Sequence, residues 1–271
     1  MVTSKVDFTV VLRVKMANPN GDPLNENIPR MDLDTDYGSM SDVCIKRKIR
    51  DRLLENGENI LIRPDDEMKS IKNRVLAEFE PIIKSEGKSF DKLDKSVVYT
   101  EGCKKWLDVR AFGNLFAYKG DSLSLGVKGP VTINPAVSVE PIEIVSMKIT
   151  KSVNAEGNDD KKSSDTFGLK HMVKDSIYYF HGTINHFLSG KTGFDDVDTQ
   201  KIQDVLPKLF ENDESSARPS GSMSVLNVVW HTHTCPSGDM SSARIQDNII
   251  IDKDGKISFK EDIGSTIIPG F

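Results

Sequence analysis

Apolar and polar side chains alternate along the first residues of the chain. Apolar residues occupy every even position from Val6 to Met16, and most of the odd positions between them are polar. Successive side chains of a strand point to opposite faces, so this period of two predicts a strand with one buried face and one largely polar face. Two prolines and a glycine within residues 18–23 (NPNGDP) end the strand. The segment that follows, to about residue 41, is predicted to be an ordered loop.

The clearest helical pattern comes after this loop. Ile45, Ile49 and Leu53 are spaced four apart and therefore fall on one face of a helix. Ser41 or Asp42 is a suitable cap for its first turn. Two further helices are predicted over residues 66–84 and 198–212, the second with a kink at Pro207.

The remaining signals are mostly those of short strands. Strands are predicted over residues 97–99, 123–127, 131–133, 142–152, 176–184 and 223–234, with a hairpin over 249–259. Residues 153–166 are polar and contain a glycine, which predicts a hairpin tip or a mobile insertion. The order of elements fits a split β-α-β core with large insertions, and it places the chain in the α+β class.

Composition restricts where a nucleic acid could bind. The 271 residues include 36 Lys and Arg against 41 Asp and Glu, which gives a net charge of −5. A protein that binds nucleic acid over much of its surface is usually basic, so any such site here must be local. Three widely spaced cysteines predict no disulfide framework and a reducing compartment. With no long apolar run and no apolar signal core, the chain is expected to be cytoplasmic, without a membrane partner.

Positive charge is concentrated in one short run. Five of the seven residues 46–52 (KRKIRDR) are Lys or Arg. Two interpretations stay open from the residues alone: a solvated helix whose long side chains cover the edge of the core, or a helix that follows phosphates. Basic residues beside glycines or turns elsewhere in the chain favour the second interpretation. They are Arg30, Arg110, Lys128, Lys151, Lys170 and Arg218.

A series of motifs, in order along nearly the whole chain, resembles one CRISPR-associated family. These motifs occupy residues 18–23, 29–30, 35–38, 41–51, 108–113, 128–132, 149–152, 167–171 and 215–218. The family that they resemble is the crRNA-binding backbone subunit of type I-C (Dvulg subtype) Cascade-like complexes. Each motif is weak by itself, whereas the ordered set is specific.

The resemblance implies an α+β fold with a modified RRM-like (ferredoxin-like) palm, inserted helical or finger regions and a β-hairpin thumb. It implies a single domain over residues 1–271 with three insertions. These are a loop at about 18–40, a helical or finger insertion at about 57–120 and the thumb hairpin at about 145–172. The residues expected to wedge between bases from the thumb are Met147, Ile149 and Met172.

The function implied by the resemblance is that of a scaffold without enzymatic activity, cofactor or metal. Copies of the chain are expected to stack head to tail along one crRNA and to present its spacer for pairing with target DNA in antiviral defence. Other expected partners are a repeat-handle endonuclease-like subunit, a large subunit and a small subunit. The expected RNA-binding residues are Asn18, Asn20, Arg30, Lys46, Arg47, Lys48, Arg50, Arg110, Lys128, Lys151, Lys170, His171 and Arg218.

Two alternatives involve metal ions. Loop aspartates could hold Mg²⁺ near a bound phosphate, as a metal-dependent endoribonuclease requires. They are Asp22, Asp32, Asp34 and Asp36. On a strand, His231, His233 and Cys235 would share one side and suit zinc, although polar side chains on an exposed strand end explain this pattern more simply.

Overall fold

The computed structural model describes residues 1–64, 70–150 and 167–271. The strands are β1 (Val6–Ala17), β2 (Gly21–Asp22), β3 (Ile28–Pro29), β4 (Tyr37–Met40), β5 (Gly113–Ala117), β6 (Ser124–Lys128), β7 (Val131–Ile133), β8 (Ala136–Pro141), β9 (Ile144–Thr150), β10 (Phe167–Ile184), β11 (Met223–Thr232), β12 (Ile249–Ile251), β13 (Ile257–Phe259) and β14 (Thr266–Pro269). The helices are α1 (Asp42–Glu55), α2 (Ile71–Glu86), α3 (Lys95–Lys105), α4 (Leu107–Phe112), α5 (His186–Thr192), α6 (Asp196–Val205) and α7 (Ser242–Asn248), with 3-10 turns at Phe90–Lys92 and Leu206–Lys208.

The chain contains a central antiparallel sheet together with helices, so it is of mixed α and β class, as predicted. Its strand order is β14-β11-β1-β10-β8-β4, and β7 and β9 pair with other parts of the long strand β10. β1 lies between β10 and β11 and is antiparallel to both. The chain passes from β1 through α1 to β7 and β8, which lie beyond β10, and it reaches β11 through α5 and α6.

The predicted strand at the N-terminus is confirmed, but its second face is not polar throughout. Asp7, Thr9 and Val11 are as buried as the apolar residues of the other face. Asp7 tolerates burial because its carboxylate has two basic partners, Lys5 Nζ at 3.1 Å and His233 Nε2 at 2.7 Å. The exposed polar face is limited to the later part of β1.

The helical predictions are confirmed within the described residues. Ser41 caps α1 by accepting a hydrogen bond from the backbone N–H of Cys44 at 3.2 Å. Ser70 caps α2 in the same way, and a left-handed Gly87 ends it. The predicted helix at 198–212 is α6 followed by a 3-10 turn that contains Pro207. The short helices α4, α5 and α7 were not predicted.

The strand predicted at residues 97–99 is wrong, because these residues lie in α3. The β-branched pair before Tyr99 favoured a strand. A helix forms instead because Asp94 caps it, accepting a hydrogen bond from Ser96 N–H at 2.7 Å, and because Val98 is buried in the core.

The buried apolar residues form two clusters. The larger one packs the sheet against α1 and α6, with Leu12, Ile49 and Ile202 among its members. The second cluster lies within residues 61–127 and includes Phe79 and Trp106. None of the helices in the described ranges has the length and apolar character needed to cross a bilayer.

Candidate nucleic-acid interface

The loop after β1 packs against the start of α1. Asn18 is buried, and its Nδ2 donates to the carbonyl oxygen of Asn27 at 2.6 Å. Asn20 Oδ1 accepts from Ser41 N–H at 2.9 Å, which links the loop to the helix cap. The backbone N–H of Asn18 donates to the carbonyl oxygen of Ala217, so the segment before β11 joins the same region. Both asparagines therefore shape the loop by hydrogen bonds within the chain.

Three of the predicted cations meet at this junction. Arg30, Lys48 and Arg218, which we name the basic cluster, all act electrostatically on the Cys44 thiol. Burial raises the pKa of this thiol, Asp213 raises it further, and the three cations oppose the increase. They come from the loop, from α1 and from the segment before β11, so the fold brings together residues that are far apart in sequence.

Carboxylates neutralise part of the basic cluster. The Asp213 carboxylate accepts hydrogen bonds from both Lys48 Nζ and Arg218 Nε, the latter at 2.8 Å. Arg30 Nη2 lies 3.6 Å from Asp22 Oδ1. Lys48 is buried, whereas Arg30 and Arg218 keep exposed surface. The three cations are therefore paired with two carboxylates, Asp22 and Asp213, and Arg30 and Arg218 remain partly exposed beside these pairs.

Two predicted cations instead hold helices together. Arg50 Nε donates to Asp108 Oδ2 at 2.9 Å, and this fully buried carboxylate also accepts from the N–H groups of Leu61 and Ile62. Arg110 donates through Nε and Nη2 to both carboxylate oxygens of Asp198, at 2.7 and 2.8 Å. These contacts join α1 to α4, and α4 to α6. Neither guanidinium is available to RNA without breaking a largely buried ion pair.

The other cations of α1 in the predicted set form pairs within the helix. Lys46 contacts Asp42 at 2.9 Å, and Arg47 contacts Asp51 at 2.8 Å. All four side chains remain partly exposed. Pairs of this kind contribute about 0–1 kcal/mol, so a phosphate can compete for either cation.

The predicted thumb contains a hairpin of β9 and β10 over the described residues. Ile149 faces Gly168, and Met147 faces Lys170. Directly opposed residues share a face, and so do alternate residues of one strand, so all four positions lie on one face of the hairpin together with Met172. Gly168 leaves room for Ile149, since a Cβ at this position would lie 3.1 Å from Ile149 Cγ1.

Exposure separates the three predicted wedge residues. Met172 is 2% exposed and has almost no free surface, whereas Ile149 is 51% exposed. Met147 is intermediate. The register also places Leu169, an exposed residue that the sequence did not single out, on the opposite face.

Three further predicted RNA-binding residues differ in their surroundings. Lys128 is exposed at the end of β6, Lys170 is partly exposed, and neither has an ion-pair partner within the described ranges. His171 is buried, with Nδ1 2.8 Å from Ser146 Oγ. Lys151, like the polar segment 153–166, lies outside the described residues.

The aspartates of the N-terminal loop serve local turns. Asp32 Oδ1 accepts from the N–H groups of Asp34 and Thr35 at 2.9 and 3.1 Å, and these hydrogen bonds lower the pKa of Asp32. Asp22 accepts from Leu24 N–H at 3.2 Å. Across the described ranges, the group of His, Cys, Asp or Glu side chains close enough to share a metal ion contains none of the loop aspartates.

That group consists of His231, His233 and Asp239. The two histidines are buried, so the interpretation of an exposed strand end is wrong. The third member of the group is Asp239, whereas the sequence suggested Cys235. Residues 235–238 form a turn, closed by the hydrogen bond from Gly238 N–H to the Cys235 carbonyl at 3.1 Å, and this turn brings Asp239 to the histidines. Asp239 carried no sequence signal, and neither did the distant carboxylate partners of the cations, Asp108, Asp198 and Asp213, since the fold sets these pairs.

Comparisons with known proteins point to one family. The family model described as CRISPR-associated protein Cas7 matches residues 4–267 of the chain. The CRISPR-associated protein Cas7 of Haloferax volcanii is 23% identical over 242 residues, which cover 80% of this chain and 67% of that protein.

Two solved structures are also similar to the chain. One is described as "CRISPR RNA-guided surveillance complex, pre-nicking" and matches with a TM-score of 0.48 and 13% identity, over 83% of this chain and 77% of the other. The second, described as "CRISPR RNA-guided surveillance complex", matches with a TM-score of 0.41 and 15% identity, over 83% and 68% of the two chains.

Proposed function

Because the chain belongs to the family of CRISPR-associated protein Cas7, we propose that it is the guide-RNA-binding backbone subunit of a type I-C surveillance complex. Copies of the chain lie head to tail along one crRNA and present its spacer to target DNA for antiviral defence. A repeat-handle endonuclease-like subunit, a large subunit and a small subunit complete the complex. The ordered motifs described above support the assignment to type I-C.

The order of the central strands supports an RRM-like palm in this proposal. β1 lies between β10 and β11, with β7 and β8 beyond β10 and helices in both crossovers. A split β-α-β arrangement has this order. The β9–β10 hairpin is then the thumb, and residues 57–120 supply the fingers.

The observation that carries the proposal is the basic cluster. Arg30, Lys48 and Arg218 converge in an otherwise acidic chain, and two of them keep exposed surface. Acidic groups more than about 10 Å away are screened at physiological ionic strength, so they do not prevent RNA from binding there. Lys46 and Arg47 are further α1 cations with partly exposed side chains.

Base pairing supplies sequence specificity in this proposal. Guide-dependent recognition needs contacts to the RNA backbone and its shape, and it does not need side chains that read base edges. Cations with partial exposure are suited to that task. The subunit therefore has a binding role without a reaction of its own, and Ile149 on the thumb separates neighbouring bases.

The test compares two double variants of the full chain that change the net charge equally. Arg30→Gln/Arg218→Gln removes the exposed cations of the basic cluster. Lys84→Gln/Arg244→Gln removes two exposed cations that pair with Glu80 and Glu261 elsewhere. Affinity for a crRNA is measured by fluorescence anisotropy at several salt concentrations.

We expect the cluster variant to bind about tenfold more weakly and to lower the slope of log K against log[salt] by about 1.4, since two phosphate contacts are lost. The control variant is expected to keep the wild-type slope. An unchanged slope in the cluster variant, or equal losses in both variants, would overturn the proposal.

A further inference from the structure

The end of β11 and the turn after it bring together ionisable side chains that the proposed RNA interface does not use. His231 and His233 are 3% and 2% exposed. They occupy alternate positions of the chain, and their ring centroids lie 4.7 Å apart. Asp239 approaches both rings from the turn.

Hydrogen bonds orient the Asp239 carboxylate. Its Oδ2 accepts from the N–H of Thr234 at 3.0 Å and from the hydroxyl of Thr234 at 2.8 Å. Its Oδ1 is left to face the histidines, 2.7 Å from His233 Nδ1 and 3.9 Å from His231 Nε2.

The opposite nitrogen of His233 is held by β1. Nε2 lies 2.7 Å from Asp7 Oδ2, a buried carboxylate that accepts its proton and fixes the ring. When Nδ1 keeps its lone pair, it accepts from the backbone N–H of Asp239 at 3.2 Å. Two acceptors, Nδ1 and Asp239 Oδ1, then lie 2.7 Å apart, and a cation between them would relieve their repulsion.

His231 contributes a second free lone pair. In the tautomer with the ring proton on Nδ1, Ser265 Oγ accepts that proton at 3.1 Å and Nε2 keeps its lone pair. Nε2 is buried and has no hydrogen-bond partner within the described ranges.

We propose that His231 Nε2, His233 Nδ1 and Asp239 Oδ1 bind one divalent transition-metal ion of the zinc class. The three atoms lie within 4.8 Å of one another. Tetrahedral zinc with bonds of about 2.0 Å places its ligands about 3.3 Å apart, so small side-chain adjustments suffice. Asp239 is 31% exposed, which admits the ion and a water molecule as fourth ligand. Asp7 orients His233 by accepting its other ring proton, as carboxylates commonly do at metal sites.

The alternative is a proton in place of the metal. His233 would then be an imidazolium between Asp7 and Asp239, and the cluster would be a buried ion-pair network. The two possibilities differ in whether the chain takes up one equivalent of metal. This difference is independent of RNA binding.

The experiment uses the full chain, purified without nickel resin and stripped with EDTA. Co²⁺ is titrated while the visible absorption of tetrahedral cobalt is recorded, Zn²⁺ is then added, and elemental analysis gives the stoichiometry. We expect one equivalent of Co²⁺, displacement by Zn²⁺ and a higher Tm with Zn²⁺. No saturable Co²⁺ spectrum in the wild-type chain, or binding without any shift in Tm, would overturn the proposal.

Variants assign the ligands. His231→Gln and Asp239→Asn are expected to weaken Co²⁺ binding at least tenfold, whereas Cys235→Ser is the matched control and is expected to bind like the wild type. Retention of binding in both ligand variants, or its loss in Cys235→Ser, would contradict the assignment. If a variant does not fold, the titration of the wild-type chain still decides whether the site exists.

Discussion

The region around α1 and the end of β11 both concentrate ionisable side chains, but the fold gives them different surroundings. Around α1, Asp108 pairs with Arg50, and Asp213 is shared between Lys48 and Arg218. At the end of β11, Asp239 approaches two buried histidines, Asp7 holds the far nitrogen of His233, and His231 Nε2 lacks a hydrogen-bond partner within the described ranges. The comparison shows that a dense motif does not establish a binding site. A binding site depends on the charges and lone pairs that the surrounding fold leaves without partners.

The largest effect is expected where a cation of α1 is structural. Asp108→Asn removes the buried carboxylate that pairs with Arg50 and accepts two backbone N–H groups. We expect a loss of about 3–5 kcal/mol in the free energy of unfolding, since a largely buried guanidinium loses its counterion. Urea denaturation measures this change. Asp121→Asn, which breaks the more exposed pair with Lys72, is the control and should cost less than about 1 kcal/mol.

A pH dependence tests a buried histidine outside this cluster, His181 of β10. Burial lowers the pKa of His181 to about 4, although Asp7 and Asp247 oppose the shift. The unfolded chain has a histidine pKa of about 6.5, so it binds a proton between pH 6.5 and 4 while the folded chain does not. The contribution of neutral His181 to the free energy of unfolding is therefore complete above pH 6.5, and it is lost as the pH falls to about 4.

The free energy of unfolding is expected to decrease by about 1 kcal/mol for each pH unit in this window. Urea denaturation at several pH values measures this decrease. His181→Gln is expected to flatten this part of the pH profile. An equally steep profile in the variant would mean that another group is responsible.

Local signals in the sequence were sufficient for β1 and α1 but not for their surroundings. The period of two in β1 and the apolar stripe with its Ser41 cap are set within a few residues. Asp108 lies 58 residues from Arg50, and Asp213 lies 165 residues from Lys48, so only the sheet topology brings these pairs together. Asp239 is close to His233 in sequence, yet the turn at 235–238 that aims it at the rings has no periodic pattern.

Removal of the Asp213 carboxylate should affect protein stability and RNA affinity in opposite directions. Asp213→Asn weakens the contacts to Lys48 and Arg218, so we expect a loss of about 1–3 kcal/mol in the free energy of unfolding. RNA affinity should change in the opposite direction and increase several-fold, because the basic cluster gains net positive charge.

The control for this prediction is Glu80→Gln, which makes the same change in net charge on α2. Urea denaturation and anisotropy are measured on the same samples. A parallel decrease in stability and affinity for Asp213→Asn would show that Asp213 only organises the site.

The smallest effect on stability is expected at the thumb. Ile149 is exposed, so Ile149→Ser should change the free energy of unfolding by less than about 0.5 kcal/mol. If Ile149 separates neighbouring bases, the variant should lose the regularly spaced reactive bases that chemical probing detects on the bound crRNA. Leu169→Ser is a matched control, because Leu169 is equally apolar and exposed on the other face of the same hairpin. Equal effects of the two substitutions would mean that the hairpin contributes general apolar surface, and that the face carrying Met147, Ile149 and Lys170 has no special role.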